Sequence, residues 1–237
     1  MLIKAHAGCE GNPANRTDAL LAAASSGADI MEIDIQQTKD GALIAQHDEK
    51  IGGKSVADTS LTELKRCDPG LLTLEEALQL IRGFQGKINI DLKSEDIFEP
   101  LQKLLEQNGV PSQRCVLTGS GCDPRLGWRP HFPDSCVWIA LPDPNPNDTE
   151  AQALSYAQEM LRQFLSLSIR NVNMCYRWLR PPLVEFAHQN GMRLHVWTVD
   201  NEADMRRMIS YGVDSITTNY VRALKRILPA DALSETK

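Results

Sequence analysis

The chain has few aromatic side chains, no excess of positive charge and no long apolar run. Aromatic residues make up 5% of its 237 residues, and the formal net charge at pH 7 is -6. Proteins that bind nucleic acids or anionic membrane surfaces usually present a basic face, so this charge balance disfavours both classes. No apolar stretch reaches the roughly 18 residues of a membrane-spanning helix, and no secretory signal is visible at the start. The sequence therefore predicts a cytoplasmic protein with no membrane span and no nucleic-acid partner.

The sequence also lacks closely spaced pairs of cysteines. The six cysteines form no CxxC pair and no zinc-binding spacing. They are Cys9, Cys67, Cys115, Cys122, Cys136 and Cys175. In a reducing compartment such scattered thiols are expected to stay free.

Short apolar runs alternate with helical patterns along the whole chain. The predicted strands cover residues 2–8, 29–35, 86–93, 114–119, 135–141, 170–175, 193–199 and 214–219. Eight strand–helix units predict a single α/β domain over residues 1–237, built as a TIM (β/α)8 barrel. A doubly wound open sheet is the alternative. It is disfavoured because the turn after the first strand reads HAGCEGNP and has no GxGxxG fingerprint.

One segment interrupts this rhythm after the second strand. The turn signal KDG is followed by the strand-like run ALIAQ. We expect a short hairpin that extends the second strand. Its returning end would bring His47 and Asp48 near the carboxyl-terminal mouth of the barrel.

Acidic residues alternate with apolar ones on two of the predicted strands. Glu32 and Asp34 share one face of the second strand, and Asp91 and Lys93 share one face of the third. Three carboxylates that converge repel each other unless a cation neutralises them. Oxygen ligands alone favour Mg²⁺ or Ca²⁺ over Zn²⁺. Lys93 could hold an anion beside such an ion.

Two histidines accompany this acidic group. His6 lies at the end of the first strand and His47 on the returning arm of the hairpin, and either could transfer protons at neutral pH. Taken alone, an acidic pair on a strand is most often a solvated face, and a single histidine is more often structural than catalytic. The joint occurrence of these residues at successive strand ends favours a catalytic site.

These residues and their surroundings resemble the glycerophosphodiester phosphodiesterase family. The family pattern runs H-R-G, P-E-N-T, G-A-D-x-x-E-x-D-V, T-x-D-G and H-D. The matching stretches here are HAG (6–8), PANRT (13–17), GADIMEIDI (27–35), TKDG (38–41) and HD (47–48). The resemblance covers nearly the whole chain, and residues 27–48 are its most specific part.

The resemblance implies a TIM barrel that hydrolyses a phosphodiester with one divalent cation, Mg²⁺ or Ca²⁺. By position, His6 and His47 resemble the acid/base pair, and Lys93 resembles a phosphate contact. The residues in the positions of the metal ligands are Glu32, Asp34 and Asp91. The family further implies attack by a neighbouring hydroxyl of the substrate, which gives a cyclic phosphate that water opens.

The chain departs from the family pattern around the phosphate. Ala7 replaces the arginine after the first histidine, Ala14 replaces the glutamate of P-E-N-T, and Asn219 replaces an aspartate. Arg16 stands where threonine is usual, at the start of the first helix, where a positive group could partly compensate. The acidic and histidine residues are all retained, so we expect catalysis with altered substrate recognition.

The expected substrate is a small phosphodiester, either of glycerol or of a sugar as in the agrocinopine-type branch of this superfamily. Three aromatic residues near strand ends offer surfaces on which a sugar ring could stack: Trp197, Tyr176 and Trp178. Two other functions stay open: a non-catalytic sugar-phosphate binding protein, and a lyase that stops at the cyclic phosphate. The sequence leaves the oligomeric state undetermined.

Overall fold

The computed structural model describes residues 1–94, 97–119, 128–133 and 136–229. The strands, in chain order, are β1 (Leu2–Ala5), β2 (Ile30–Gln37), β3 (Leu43–Ala45), β4 (Lys50–Ile51), β5 (Lys54–Ser55), β6 (Lys87–Leu92), β7 (Cys115–Gly119), β8 (Ile139–Ala140), β9 (Asn171–Cys175), β10 (Arg193–Trp197) and β11 (Ser215–Thr218). The helices are α1 (Thr17–Ser26), α2 (Leu61–Cys67), α3 (Leu74–Leu80), α4 (Phe98–Gln107), α5 (Glu150–Ser166), α6 (Pro181–Gln189), α7 (Glu202–Tyr211) and α8 (Val221–Ile227).

Eight parallel strands form a nearly closed barrel, so the predicted TIM fold is confirmed. Around the sheet the order is β7, β6, β2, β1, β11, β10, β9 and β8. A parallel bridge between Leu117 and Val137 brings the two ends of this sheet together. The first strand pairs with both the second and the last strand, and an open sheet would lack the bridge that links its two ends.

Side-chain alternation on β2 separates the core from the barrel interior. Met31, Ile33 and Ile35 are fully buried in the core cluster that the strands share with the surrounding helices. On the opposite face, Ile30 packs deep in the barrel with Val116 and Trp138. Glu32 and Asp34 follow Ile30 on this inner face, because residues two apart on a strand point the same way. The apolar layer of inward-facing side chains thus lies deeper in the barrel than the acidic layer at its mouth.

The predicted hairpin is also present. β3 pairs antiparallel with the end of β2, with Ile35 opposite Ala45. The side-chain amide of Gln36 donates hydrogen bonds to the carbonyl oxygens of His47 and Asp48, at 2.9 and 2.6 Å. These bonds fix the chain just beyond the hairpin at the mouth of the barrel.

Helices α2 and α8 are short, with seven residues each. α2 follows Ser60, whose hydroxyl accepts a hydrogen bond from the backbone N–H of Glu63. This cap satisfies one of the free donors at the helix start.

The cysteines among the described residues are free thiols. Burial raises the pKa of Cys9 to about 11 and that of Cys115 to about 12, which is typical of unreactive packed thiols. Cys122 lies outside the described residues. Within the described ranges, every helix is too short or too polar to cross a bilayer.

Candidate active site

A cavity of about 440 Å³ opens at the carboxyl-terminal mouth of the barrel. The predicted catalytic and ligand residues all contribute to its lining: His6, Glu32, Asp34, His47, Asp91 and Lys93. β1, β2, β6 and the hairpin each supply part of this group. TIM-barrel enzymes place their chemistry at this end of the strands.

The strand register brings the three carboxylates together. Asp34 lies directly opposite Asp91 in the β2–β6 pair, and Glu32 is two residues earlier on the same face. One carboxylate oxygen from each of Glu32, Asp34 and Asp91 lies within 4.8 Å of the others. Glu32 is 7% exposed and Asp34 is 2% exposed, so these charges are largely removed from water. In the described part of the chain, this is the group of side chains that could hold a metal ion.

Two lysines balance the charge of the acidic cluster. Lys4 is 1% exposed, and its ammonium lies 3.3 Å from Glu32 Oε2 and donates a hydrogen bond of 2.6 Å to Asn89. Lys93 pairs with Asp91 and lies 3.1 Å from Asp34 Oδ1. A buried ammonium within reach of a carboxylate offsets part of the cost of burying both charges.

The environments of Glu32 and Asp91 shift their pKa values in opposite directions. Burial raises the pKa of Glu32, the charges of Asp91 and Asp34 add to this, and Lys4 opposes it. Burial acts in the same direction on Asp91, but the charge and hydrogen bond of Lys93 outweigh it and lower the Asp91 pKa. Two neighbouring carboxylates therefore differ in how strongly they hold a proton.

Asp34 is fixed by a reciprocal pair of hydrogen bonds with Asn15. The Asn15 amide nitrogen donates to Asp34 Oδ2 at 2.7 Å, and the backbone N–H of Asp34 donates to Asn15 Oδ1 at 3.0 Å. Asn15 is 1% exposed and has φ 59°, a left-handed conformation that asparagine tolerates better than most residues. Sequence reasoning missed this residue; its place inside the PANRT stretch was the available signal.

The two histidines lie at the cavity in different surroundings. His6 Nε2 is 3.8 Å from Glu32 Oε1, and its Nδ1 is 2.9 Å from Asn219 Oδ1. His47 is more open: 62% of its side chain is exposed, and its Nδ1 lies 2.9 Å from Asp48 Oδ1. Each ring therefore has one nitrogen engaged by a side-chain oxygen.

The predicted substrate-binding residues are only partly brought together. Trp197 lines the cavity and is 36% exposed. Tyr176 and Trp178 lie in a 3-10 turn, are half-buried against the core and are absent from the cavity wall. Arg16 is likewise outside the wall, because its guanidinium forms a 2.5 Å ion pair with Asp68.

Two further polar residues of the cavity wall, Thr118 and Asn173, were not predicted from the sequence. Thr118 donates a 2.5 Å hydrogen bond to Asp91 Oδ1 and accepts one from Asn89. Asn173 lines the cavity, and its buried Oδ1 has no hydrogen-bond partner in the described structure. Both residues are on inward-facing strand positions, so the alternation that identified Glu32 could have found them.

His195 lies in the barrel interior below the site. It is 1% exposed, and its ring stacks on Trp138 with centroids 3.5 Å apart. Its Nδ1 lies 2.9 Å from Ser215 Oγ. Burial, together with the charges of Lys4 and Arg193, lowers the pKa of His195 well below its usual value. A neutral stacked ring in this place supports the floor of the cavity.

Comparisons with known proteins all point to phosphodiesterases. Residues 6–223 match the model of the glycerophosphoryl diester phosphodiesterase family. The chain is 29% identical to the glycerophosphodiester phosphodiesterase of Caldanaerobacter subterraneus subsp. tengcongensis, covering 92% of this chain and 93% of that protein. The structure resembles a glycerophosphodiester phosphodiesterase from Parabacteroides distasonis, with TM-score 0.72, 24% identity and 98% of each chain covered. It also resembles an Oleispira antarctica phosphodiesterase solved with the product sn-glycerol-3-phosphate, with TM-score 0.73 and 18% identity, covering 95% of this chain and 96% of that one.

Proposed function

The chain belongs to the glycerophosphoryl diester phosphodiesterase family, and from this membership we propose that its mouth cavity cleaves a small phosphodiester by metal-assisted proton transfer. As a member it is a phosphoric diester hydrolase. The proposal assigns the ligand role to Glu32, Asp34 and Asp91, and the proton-transfer role to His6 and His47. The observation that carries it is the convergence of three carboxylates within 4.8 Å of each other in a cavity that both histidines line.

The donor set fits a hard divalent cation. The three candidate ligands are all carboxylates, and oxygen-only sites suit Mg²⁺ or Ca²⁺. When bound, such an ion polarises a phosphate oxygen and offsets the negative charge that develops during cleavage. Lys93 is 22% exposed at its side chain, so its ammonium can reach a phosphate oxygen from beside Asp91.

In the proposed first step a hydroxyl of the substrate, vicinal to the phosphate, attacks phosphorus. A P–O bond forms to this oxygen while the bond to the leaving alcohol breaks. One histidine accepts the proton of the attacking hydroxyl, and the other gives a proton to the leaving oxygen. Internal attack is favoured because both reacting groups are already on one molecule.

The second step hydrolyses the cyclic phosphate that the first step forms. The two histidines exchange roles: the newly protonated ring donates to the departing ring oxygen, and the other accepts a proton from water. The product is a phosphomonoester with its neighbouring hydroxyl restored. The Oleispira antarctica relative holds a product of this class, sn-glycerol-3-phosphate.

Phosphorus NMR of one reaction separates the proposed activity from its alternatives. With glycerophosphocholine or a sugar-2-phosphate diester and Mg²⁺ or Ca²⁺, we expect a phosphomonoester signal, preceded by a transient cyclic phosphate. A cyclic phosphate that accumulates as the final product would identify a lyase. An unchanged diester would identify a binding protein. Cleavage of a diester that lacks the vicinal hydroxyl would contradict internal attack.

We further propose that the leaving alcohol or the phosphorylated group is a sugar. Ala7 is buried and Ala14 is uncharged, so the two fixed charges that the family pattern places beside the phosphate are absent. Trp197 supplies a flat, partly exposed apolar surface at the cavity, where a sugar ring could stack. The specificity constant kcat/KM is expected to be higher for the sugar-2-phosphate diester than for glycerophosphocholine.

Trp197→Ala tests the stacking surface. We expect kcat/KM for the sugar diester to fall by about 10-fold, because a stacked ring contact is worth roughly 1 kcal/mol or more, while glycerophosphocholine is affected less. Trp178→Phe is the matched control, since Trp178 lies off the cavity wall and should leave both constants near those of the unchanged protein. Equal losses for both substrates in Trp197→Ala, or a preference for glycerophosphocholine, would contradict the sugar assignment.

A further inference from the structure

A chain of side-chain hydrogen bonds runs from His6 outward to Asp200. His6 Nδ1 is 2.9 Å from Asn219 Oδ1, and Asn219 Nδ2 donates to Asp200 Oδ2 at 2.8 Å. The other oxygen of Asp200 accepts from the backbone N–H of Asn219 at 2.8 Å and from the Thr218 hydroxyl at 3.1 Å. Three donors from the end of β11 thus converge on one carboxylate.

Backbone hydrogen bonds between the segments that follow β1 and β11 hold His6 and Asn219 side by side. The backbone N–H of His6 donates to the carbonyl oxygen of Thr218 at 3.0 Å, and that of Glu10 donates to the carbonyl oxygen of Asn219 at 2.6 Å. Gly8 leaves room for the Asn219 side chain, because a Cβ at Gly8 would lie 3.2 Å from Asn219 Oδ1. The ends of β1 and β11 therefore place the ring and the amide against each other.

Hydrogen-bond chemistry fixes the direction of every bond in the chain. An ionised carboxylate only accepts hydrogen bonds, so the Asn219 group that faces Asp200 must be the NH₂. The group that faces His6 must then be the amide oxygen, which also only accepts. His6 Nδ1 must in turn carry a proton, and the neutral ring keeps its lone pair at Nε2, on the side of Glu32 and the cavity.

We propose that Asp200 and Asn219 are positioning residues that hold His6 in the Nδ1–H tautomer, so that its Nε2 is the proton acceptor for the attacking hydroxyl. This inference deepens the proposed function and rests on it for the role of His6. It leaves His47 as the proton donor to the leaving oxygen. The amide at position 219 transmits the orientation set by Asp200 without adding a second negative charge.

Asp200→Asn tests the chain with a nearly isosteric change. If the oxygen of the new amide at position 200 still accepts hydrogen bonds from the Asn219 backbone N–H and the Thr218 hydroxyl, the NH₂ of that amide faces the Asn219 side chain. The Asn219 amide is then expected to turn over and present its NH₂ to His6, which must accept at Nδ1 and carry its proton at Nε2. We expect kcat to fall about 10²–10⁴-fold with little change in KM, because the acceptor for the attacking hydroxyl is lost.

The double variant Asp200→Asn/Asn219→Asp is the matched rescue. A carboxylate at position 219 accepts from the amide at position 200 and from His6 Nδ1–H, so the original tautomer is restored with the same net charge. We expect kcat within about 10-fold of the unchanged protein. If Asp200 only capped the loop, the added change at position 219 would not restore kcat.

The readout is the tautomer of His6 in the full chain, measured by ¹⁵N NMR of histidine-labelled protein with Mg²⁺ present. A His6→Gln spectrum assigns the His6 signals. We expect Nδ1–H in the unchanged protein and in the double variant, and Nε2–H in Asp200→Asn. Nε2–H in the unchanged protein, Nδ1–H in Asp200→Asn, or an inverted tautomer with unchanged kcat would each overturn the proposal.

If Asp200→Asn alone does not fold, the double variant provides the test of the proposal. It must fold, carry Nδ1–H and turn over within about 10-fold of the unchanged protein, and failure of any of these overturns the proposal. The NMR measurement does not depend on turnover. Tautomers that change as expected in a protein that cleaves no phosphodiester would therefore overturn the proposed function and leave the hydrogen-bond chain standing.

Discussion

Replacing Asp34 by asparagine is expected to lower turnover by at least about 10²-fold, since even the outer partners of metal ligands are commonly worth 10–100-fold. Asn15 Nδ2 donates to Asp34 Oδ2, so the oxygen of the new amide would be retained there. The new NH₂ would then face Lys93, whose ammonium lies 3.1 Å from Asp34 Oδ1. The change removes one oxygen ligand and directs a donor at the place where a cation would bind.

Calorimetric titration with Mg²⁺ or Ca²⁺ alone provides a second measurement, independent of substrate. Asp34→Asn should weaken cation binding, and urea unfolding should show the fold retained. Asp58→Asn is the control, because Asp58 is exposed and off the cavity wall. Full turnover by exhaustively chelated wild-type protein would contradict the metal assignment.

His6→Ala and His47→Ala are each expected to slow cleavage by about 10²–10⁴-fold, the usual range for a general acid or base. The double variant should lose less than the product of the two single losses, because groups that act as one unit are not additive. A diester with a phenolate leaving group separates the roles. Such a group departs without a proton, so this substrate should largely restore the rate of His47→Ala and leave His6→Ala slow.

His188→Ala is the control for the histidine variants. His188 lies on α6 with its Nε2 3.0 Å from Asp214, outside the cavity wall, so its loss should leave turnover unchanged. Restoration of His6→Ala instead of His47→Ala by the phenolate substrate would show that the two roles are reversed. Near-normal turnover by either single variant with the ordinary diester would show that its assignment is wrong.

Much of this barrel was predictable because alternation along a strand is a local property. The eight predicted strands correspond to the eight barrel strands, although β8 is shorter than its apolar run. Residues two apart share a face whatever the rest of the chain does, so Glu32 and Asp34 had to face together. The KDG turn marked the hairpin for a similar reason, since turn residues act over a few neighbours.

Residues whose role depends on another strand were not predictable in the same way. Arg16 was predicted to lie near the phosphate because of its position at a helix start. In the structure its guanidinium pairs with Asp68, more than 50 residues away in the chain. Tyr176 and Trp178 were placed correctly after a strand, but the 3-10 turn that they form lies against the core rather than the cavity. A single sequence carries no record of such distant pairings.

The sequence by itself determined the barrel, the hairpin and the chemical character of the site, because these follow from local alternation, turn residues and the types of side chain at strand ends. Only the tertiary structure decided which groups touch. The β2–β6 register set Asp34 opposite Asp91, and barrel closure set β11 beside β1, which brought Asn219 to His6 across 213 residues of chain. Hydrogen bonds and ion pairs act over about 3–4 Å, so partners far apart in the chain become defined only when the strands close into the barrel.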